Sequence, residues 1–312
     1  MKYKNNYMIE VWRMGGNAIS RRMLGKELFP LRMSHKILDS EHGNNKINKL
    51  ILEGKPFAVT RFGATEIRMI ADVLYDGLKK KEKVSAWADK RIDNTGFFPN
   101  NYSSIKRFVQ LYLDCCEDID ILAVWNIFMQ KEIAERFAQN AVYTTMYALE
   151  PYYFGQPWST ALKNKKVLVI HPFAQSIQKQ YLNRRYLFKN QEVLPEFELH
   201  TLKAVQTIAG EESEFANWFE ALEWMYKEAL NIDFDIALIG CGAYGLPLAV
   251  QLKRAGKQAI HIGGALQLLF GIKGTRWENK PEASILFNEY WIRADLSERP
   301  RRLDQVEGGC YW

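Results

Sequence analysis

From Asp235 to Gly274 an apolar strand runs into a glycine turn and a helix, and the same succession then repeats. A chain with that pattern is driven toward a Rossmann-like β-α-β-α unit, because short buried strands alternating with helical periodicity pair in parallel. The first strand, Phe234 to Ile239, enters Gly240-Cys-Gly242-Ala243-Tyr244-Gly245 and the helix Leu246 to Arg254. The second, Gln258 to Ile262, enters Gly263-Gly264 and the helix Ala265 to Phe270. Glycine lets the backbone come close to a ligand, and the unpaired N–H groups opening each helix favour an anion. Two such turns on one sheet edge suit a diphosphate, with Lys273 and Arg276 close by in sequence to add positive charge. The dinucleotide fingerprint also requires an acid about 20 residues on. Here that strand ends at His261, so no NAD is expected.

The rest of the chain fits the same class. Apolar spacing through Ile37, Ile47 and Ile51 predicts a helix ending near Gly54, followed by a strand from Phe57 and a helix from Glu66 to Leu78 that runs into Lys79-Lys80-Lys81. Further helices are expected at Ser103 to Cys116, Gln130 to Ala138, Ser176 to Phe188 and Phe215 to Leu230. Strands are expected at Ile119 to Val124, Lys166 to His171 and Phe197 to Ala204. The fold class is therefore α/β, a Rossmann-like, doubly wound, mainly parallel sheet with helices on both faces. The aromatic and proline-rich loop Pro151 to Trp158 suggests a division. Residues 1–55 read as a helical, basic arm, 56–160 as a first β/α lobe, 161–277 as a nucleotide-binding lobe and 278–312 as a tail on the body.

With 42 Lys+Arg against 36 Asp+Glu, the formal charge of +6 is spread along the chain, which fits an anionic small ligand and offers no nucleic-acid stripe. The four cysteines form no CxxC pair, as in a reduced, cytoplasmic protein. No apolar run approaches the roughly 20 residues that span a bilayer. Arg13, Arg21, Arg22 and Lys26 beside Val11, Trp12, Met23 and Leu24 give the N-terminus a composition compatible with peripheral association at the inner membrane face, or with a solvated arm packed on the body.

Three further segments carry the remaining chemistry. His171 closes its strand on the expected ligand edge, where an imidazole can bind phosphate, take a proton or simply cap the turn. Arg276-Trp277 can clamp a phosphate and stack a base, or be a buried tryptophan beside a surface arginine. In Thr60-Arg61-Phe-Gly63-Ala64-Thr-Glu66, a cation and a carboxylate flank Gly63. Glu66 is a candidate base or metal ligand, or an acid favoured by the first turn of a helix.

That last segment resembles the hallmark of the GT-D type of bacterial glycosyltransferases, Arg-x-Gly-Asp-x-Glu, with Arg61, Gly63 and Glu66 matching and Ala64 in the place of the aspartate. Ile236 to Ala249 and Ala259 to Gly263 are similar to that family's second nucleotide-contacting region. Val167 to Phe173, Phe270 to Trp277 and Val306 to Trp312 look like proteins of bacterial surface-polysaccharide gene clusters. The resemblance implies a nucleotide-diphosphate sugar donor, a UDP-sugar foremost, and a glycan or lipid-linked acceptor. It also implies Mn2+ or Mg2+ held in part by Glu66, although Ala64 leaves the Asp-x-Glu pair incomplete. Two alternatives stand beside glycosyl transfer: another sugar-nucleotide or sugar-phosphate enzyme, and an inactive nucleotide-sugar-binding partner in a polysaccharide assembly complex.

Overall fold

A computed structural model describes residues 2–76, 95–207, 213–301 and 309–312. Its centre is one sheet of eight strands in the order β1-β4-β3-β2-β8-β7-β5-β6. The strands are β1 Ile37–Leu38, β2 Phe57–Arg61, β3 Ile121–Val124, β4 Val142–Thr145, β5 Lys166–His171, β6 Glu198–Lys203, β7 Ile236–Ile239 and β8 Gln258–His261. Every pairing is parallel, so all carboxyl ends share one edge.

Side chains alternate across a strand, and here that alternation divides the interior into two cores. Ala58, Leu122, Leu168, Ile170, Ala237, Ile239 and Ala259 face one layer, while Phe57, Val59, Val167, Val169, Ile236, Leu238 and Ile260 face the other. The register aligns Ile121, Val59, Ile260, Leu238 and Val169 into a single apolar row over five strands. Sequence neighbours on opposite cores leave no solvated face, which is why these strands read as continuous apolar runs.

The helices follow from local chemistry. Among the described residues those of eight residues or more are α1 Lys2–Leu24, α2 Ser40–Glu53, α3 Ala64–Ala71, α4 Tyr102–Cys116, α5 Gln130–Phe137, α6 Ala174–Tyr181, α7 Trp218–Leu230 and α8 Gly245–Arg254. Asp39 caps α2 through the His42 N–H, and Gly54 closes it in the left-handed region at φ 72°. Asn217 accepts from Phe219 and Glu220 N–H and so starts α7 at Trp218, three residues inside the expected limit. The helix expected from Ser176 to Phe188 is divided instead into α6 and a short turn, Arg184–Leu187. After α3 the chain continues as a π-helix, Asp72–Asp76, and Lys79-Lys80-Lys81 lies outside the described residues.

Two strands were not anticipated. Ile37 and Leu38 pair with Tyr143 and Thr144, placing β1 and β4 at one margin of the sheet. Strands from residues 56–160 and from 161–277 share this one sheet, joined where β2 pairs β8. On one side of that seam lie β3, β4 and β1 and on the other β7, β5 and β6, and the helix that follows β2 packs in one core while Leu266–Leu269, after β8, packs in the other. In open α/β sheets such a reversal opens a crevice beyond the carboxyl ends.

Candidate active site

A cleft of about 510 Å³ lies over this seam. It is lined by Arg61, Gly63, Glu66, His171, Gly240, Gly242, Ala243, Gly264 and Arg276 among others, so residues from β2, β5, β7 and the segment after β8 converge on one cavity. Of the sequence candidates, Tyr244, Gly245, His261, Gly263 and Lys273 do not line it. Tyr244 stacks on Trp218 at 4.8 Å, and the Lys273 N–H is engaged by the Ile292 carbonyl at 2.8 Å.

Arg61 ends β2 on the floor of the cleft. A Cβ on Gly263 would lie 2.4 Å from its Nη2, so the guanidinium occupies space that only a glycine at φ +80° leaves free. Arg61 Nη1 donates to the Phe62 carbonyl at 3.4 Å, while Nε is buried with no hydrogen-bond partner. Among the described residues Arg61 has no ion-pair partner. A part-buried cation with an enclosed, unpartnered Nε is a local bias toward an anionic ligand.

The glycines of the first turn have distinct duties. Gly240 makes room for His171, whose Cδ2 would be 2.5 Å from an added Cβ, and Gly245 makes room for His261, whose Nε2 would be at 2.2 Å. Gly242 alone of the three has a positive φ, +59°, and an added Cβ there would meet nothing nearer than the Thr95 carbonyl at 3.9 Å. The backbone at Gly242 and Ala243 is thus the part of the motif that meets the cleft. At the second turn the Tyr311 ring fills the space beside Gly264, 2.3 Å from an added Cβ.

His171 is buried, and burial pushes its pKa down to about 3. Its Nδ1 accepts the Phe173 N–H at 3.0 Å, so the remaining proton of the neutral ring sits on Nε2. The ring presents a donor to the cleft and has no free site to take a proton. His261 is likewise held neutral, by burial and then by the Arg61 charge, and neither ring nitrogen has a partner.

Glu66 occupies the first turn of α3, 8% exposed. Its Oε2 would lie 1.9 Å from a Cβ on Gly63, so the carboxylate folds back over that glycine. The buried Tyr112 hydroxyl is raised far above its usual range by burial and then by the Glu66 charge. Among the described residues no group of three or more His, Cys, Asp or Glu is arranged to hold a metal ion. The donor set at the motif is one carboxylate with Ala64 beside it, which does not make a divalent-cation site on its own.

Arg276 donates to the Tyr311 hydroxyl at 2.7 Å and lies 4.6 Å from that ring's centre, while Trp277 is 5% exposed against the same ring. The last residues of the chain, Tyr311 and Trp312, thereby wall the cleft. Sequence reasoning missed that wall and a second one, Trp125, Tyr147, Glu150 and Tyr153, contributed by the ends of β3 and β4. The nearest signals were the aromatic and proline-rich loop Pro151 to Trp158, which holds Tyr153, and the segment Val306 to Trp312, and neither marked a wall of the site.

Residues 127–269 match the family model of a GT-D fold-like domain. The matched segment contains His171, both glycine turns and Glu150, and begins after Arg61 and Glu66. Among solved structures, one of domain of unknown function 1792, in selenomethionine form, is similar at 14% identity and TM-score 0.43, covering 84% of this chain and 91% of that one. Another, described as showing that this highly conserved domain has a distinct glycosyltransferase fold, is similar at 15% identity and TM-score 0.41, covering 84% and 92%. No curated protein matches the chain.

Proposed function

From a chain that carries a GT-D-like domain across residues 127–269, we propose a glycosyltransferase that uses a nucleotide-diphosphate sugar. The observation that carries this reading is the part-buried Arg61 guanidinium, its Nε enclosed with no hydrogen-bond partner and without an ion-pair partner among the described residues, lining a cleft at the sheet's switch point. Arg61, the N–H groups at Gly242 and Ala243, the His171 Nε2–H and Arg276 are positive or donating groups around one space. They hold the diphosphate and stabilise the charge that develops on it as it leaves. Glu66, beside this cluster, accepts hydrogen bonds from donor hydroxyls. The acceptor oxygen forms its bond to the anomeric carbon as the bond to the diphosphate breaks, the electron pair leaving on the phosphate oxygen. The acceptor proton passes to a carboxylate of the cleft.

In this reading side chains and backbone supply the charge the chemistry needs, because the single carboxylate beside Ala64 is a poor site for Mn2+ or Mg2+. UDP-sugars are the first donors to test, and surface polysaccharide or glycoconjugate assembly is the setting we favour. Among the described residues no helix is long and apolar enough to cross a membrane. Peripheral association at the inner face of the membrane remains part of the proposal. Met8, Trp12, Ile19 and Met23 recur at helical spacing on α1 and are exposed, with Arg22 and Lys26 exposed nearby. Arg13 and Arg21 are instead engaged by Glu10 and Glu27.

Calorimetric titration with a panel of nucleotide diphosphates and their sugars, with and without manganese, tests the reading. Binding that is lost in Arg61→Ala is expected. Absence of binding across the panel rejects it, and binding without transfer to any acceptor points to the non-catalytic partner.

A further inference from the structure

The cleft has two kinds of wall. Arg61 lines it with the glycine turns, while Glu150 and Glu282 line it together with aromatic side chains and with Lys280, whose charge offsets part of theirs. Glu150 follows the 3-10 turn Met146–Leu149 at the carboxyl end of β4, and its neighbours there are Tyr147, Tyr152 and Tyr153. Tyr147 is 51% exposed, and its ring meets that of Tyr153 edge-on at 5.7 Å. Trp125, 40% exposed, stands on the same cavity with its indole N–H fixed to the Phe62 carbonyl at 3.1 Å. Exposed aromatic faces beside a carboxylate suit a neutral, hydroxyl-bearing ring: its C–H face packs on the aromatics and its hydroxyls donate to the carboxylate.

We propose that Tyr147, Glu150 and Tyr153 form the acceptor subsite, which takes a carbohydrate ring, and that the Glu150 carboxylate receives the proton of the attacking hydroxyl. This rests on the glycosyltransferase reading and names the half of the reaction that reading leaves open. As the acceptor O–H breaks, its oxygen bonds the anomeric carbon and its proton moves to Glu150, while the diphosphate departs with the electron pair of the broken bond.

The surroundings of Glu150 are built for a proton that comes and goes. The Tyr152 hydroxyl lies 3.0 Å from Glu150 Oε2 and 3.3 Å from the Ala265 carbonyl, and it has one proton to give. With Glu150 ionised, that proton serves the carboxylate and the Ala265 carbonyl goes without it. With Glu150 protonated, the acid donates to Tyr152, which can then donate to Ala265. Burial raises the Glu150 pKa to about 7, opposed by the Tyr152 hydrogen bond and the Lys280 charge and reinforced by Glu282. Tyr147 and Tyr153, also facing Glu150, are raised and neutral near pH 7. A base tuned near the working pH is the efficient one for general base catalysis.

The test has two arms on the full chain. In the first, saturation-transfer NMR with methyl glycosides of glucose, galactose and N-acetylglucosamine, without donor, reads the subsite directly. Saturation reaching the sugar ring protons is expected in the wild-type protein and is expected to fall at least several-fold in Tyr147→Ala, whose exposed position keeps folding intact. In the second, acceptor kcat/KM is expected to rise with pH to a plateau with a midpoint near 7. Glu150→Gln should lower it by about 10²–10⁴-fold and remove that midpoint, while Glu66→Gln keeps it. Nucleotide binding with no glycoside binding overturns the subsite and leaves the donor reading standing. Glycoside binding with no nucleotide binding does the reverse. A midpoint that survives in Glu150→Gln overturns the assignment of the proton.

Discussion

The Arg61 guanidinium rests against the bare backbone of Gly263, on the side where any other residue would place its Cβ. Two strands that meet at the seam of the sheet thereby exchange a cation for a missing side chain. Gly263→Ala would strain a backbone at φ +80° by about 1–2 kcal/mol and push the guanidinium off the floor. Nucleotide affinity is expected to fall by roughly 10–100-fold, the worth of a charge-assisted hydrogen bond or two. Arg61→Lys, which keeps the charge and loses the fork, should fall in the same range. Calorimetry on both variants checks this, and unchanged affinity would show that the anion sits elsewhere.

His171 is expected to behave as a fixed donor. Its folded pKa is depressed from 6.5 to about 3 by burial, so the unfolded chain binds more protons than the native one between those values. Stability contributed by the neutral ring is therefore present above pH 6.5 and lost as pH falls toward 3, by several kcal/mol over the full window. Nitrogen-15 NMR should find the Nε2–H tautomer unchanged from pH 5 to 8. Denaturation curves of His171→Gln should show a shallower loss of stability in acid. A His171 ring that titrates near 6.5 would restore it as a candidate base.

The fold was legible because the buried strands are nearly uniform runs of Val, Ile, Leu and Ala, from Val167 to Ile170 and from Ile236 to Ile239. The margin strands were not, for the opposite reason. Val142-Tyr-Thr-Thr has mixed polarity, and its pairing with Ile37 and Leu38 spans about a hundred residues, which local periodicity does not see. The same limit applies to the site. Arg61, Gly242 and His171 each stand at or just beyond the carboxyl end of an apolar strand, where local sequence marks a position. Glu150 and Tyr311 reach the cleft through a loop and a chain terminus, where position depends on tertiary packing. The glycine motif was located correctly by its strand-turn-helix setting, yet two of its glycines serve the approach of His171 and His261, a duty invisible without neighbours from other strands.

Gly63 and Glu66 form a second pair of this kind. Because the Glu66 carboxylate lies 1.9 Å from the position of a Cβ on Gly63, Gly63→Ala must displace it. The backbone itself, at φ −84° and ψ 141°, accepts alanine without strain, so folding should survive. The donor KM is expected to rise by about 10-fold in Gly63→Ala and in Glu66→Gln alike, since both remove one charged hydrogen-bond acceptor. The acceptor KM should stay within about 2-fold of wild type. Equal loss toward both substrates would argue that Glu66 holds the cleft together rather than the donor.

Glu150 carries a cost to stability that its removal should reveal. Its folded pKa is raised from 4.5 to about 7, so the native state binds more protons than the unfolded chain across that window. The protonated form's contribution is complete below pH 4.5 and is lost as pH rises through about 7, leaving an unfavourable buried charge above it. Glutamine keeps the oxygen that Tyr152 addresses and adds an amide that does not ionise. Glu150→Gln is therefore expected to match wild type at pH 4.5 and to exceed it at pH 8 by roughly 1–3 kcal/mol, a range discounted for the partial exposure of the side chain. Urea denaturation at the two pH values measures the difference. A gain that grows with pH, together with lost transfer, would identify Glu150 as a group kept for chemistry at the expense of stability. A difference that is flat with pH would mean that the carboxyl ionises in the fold as it does in water.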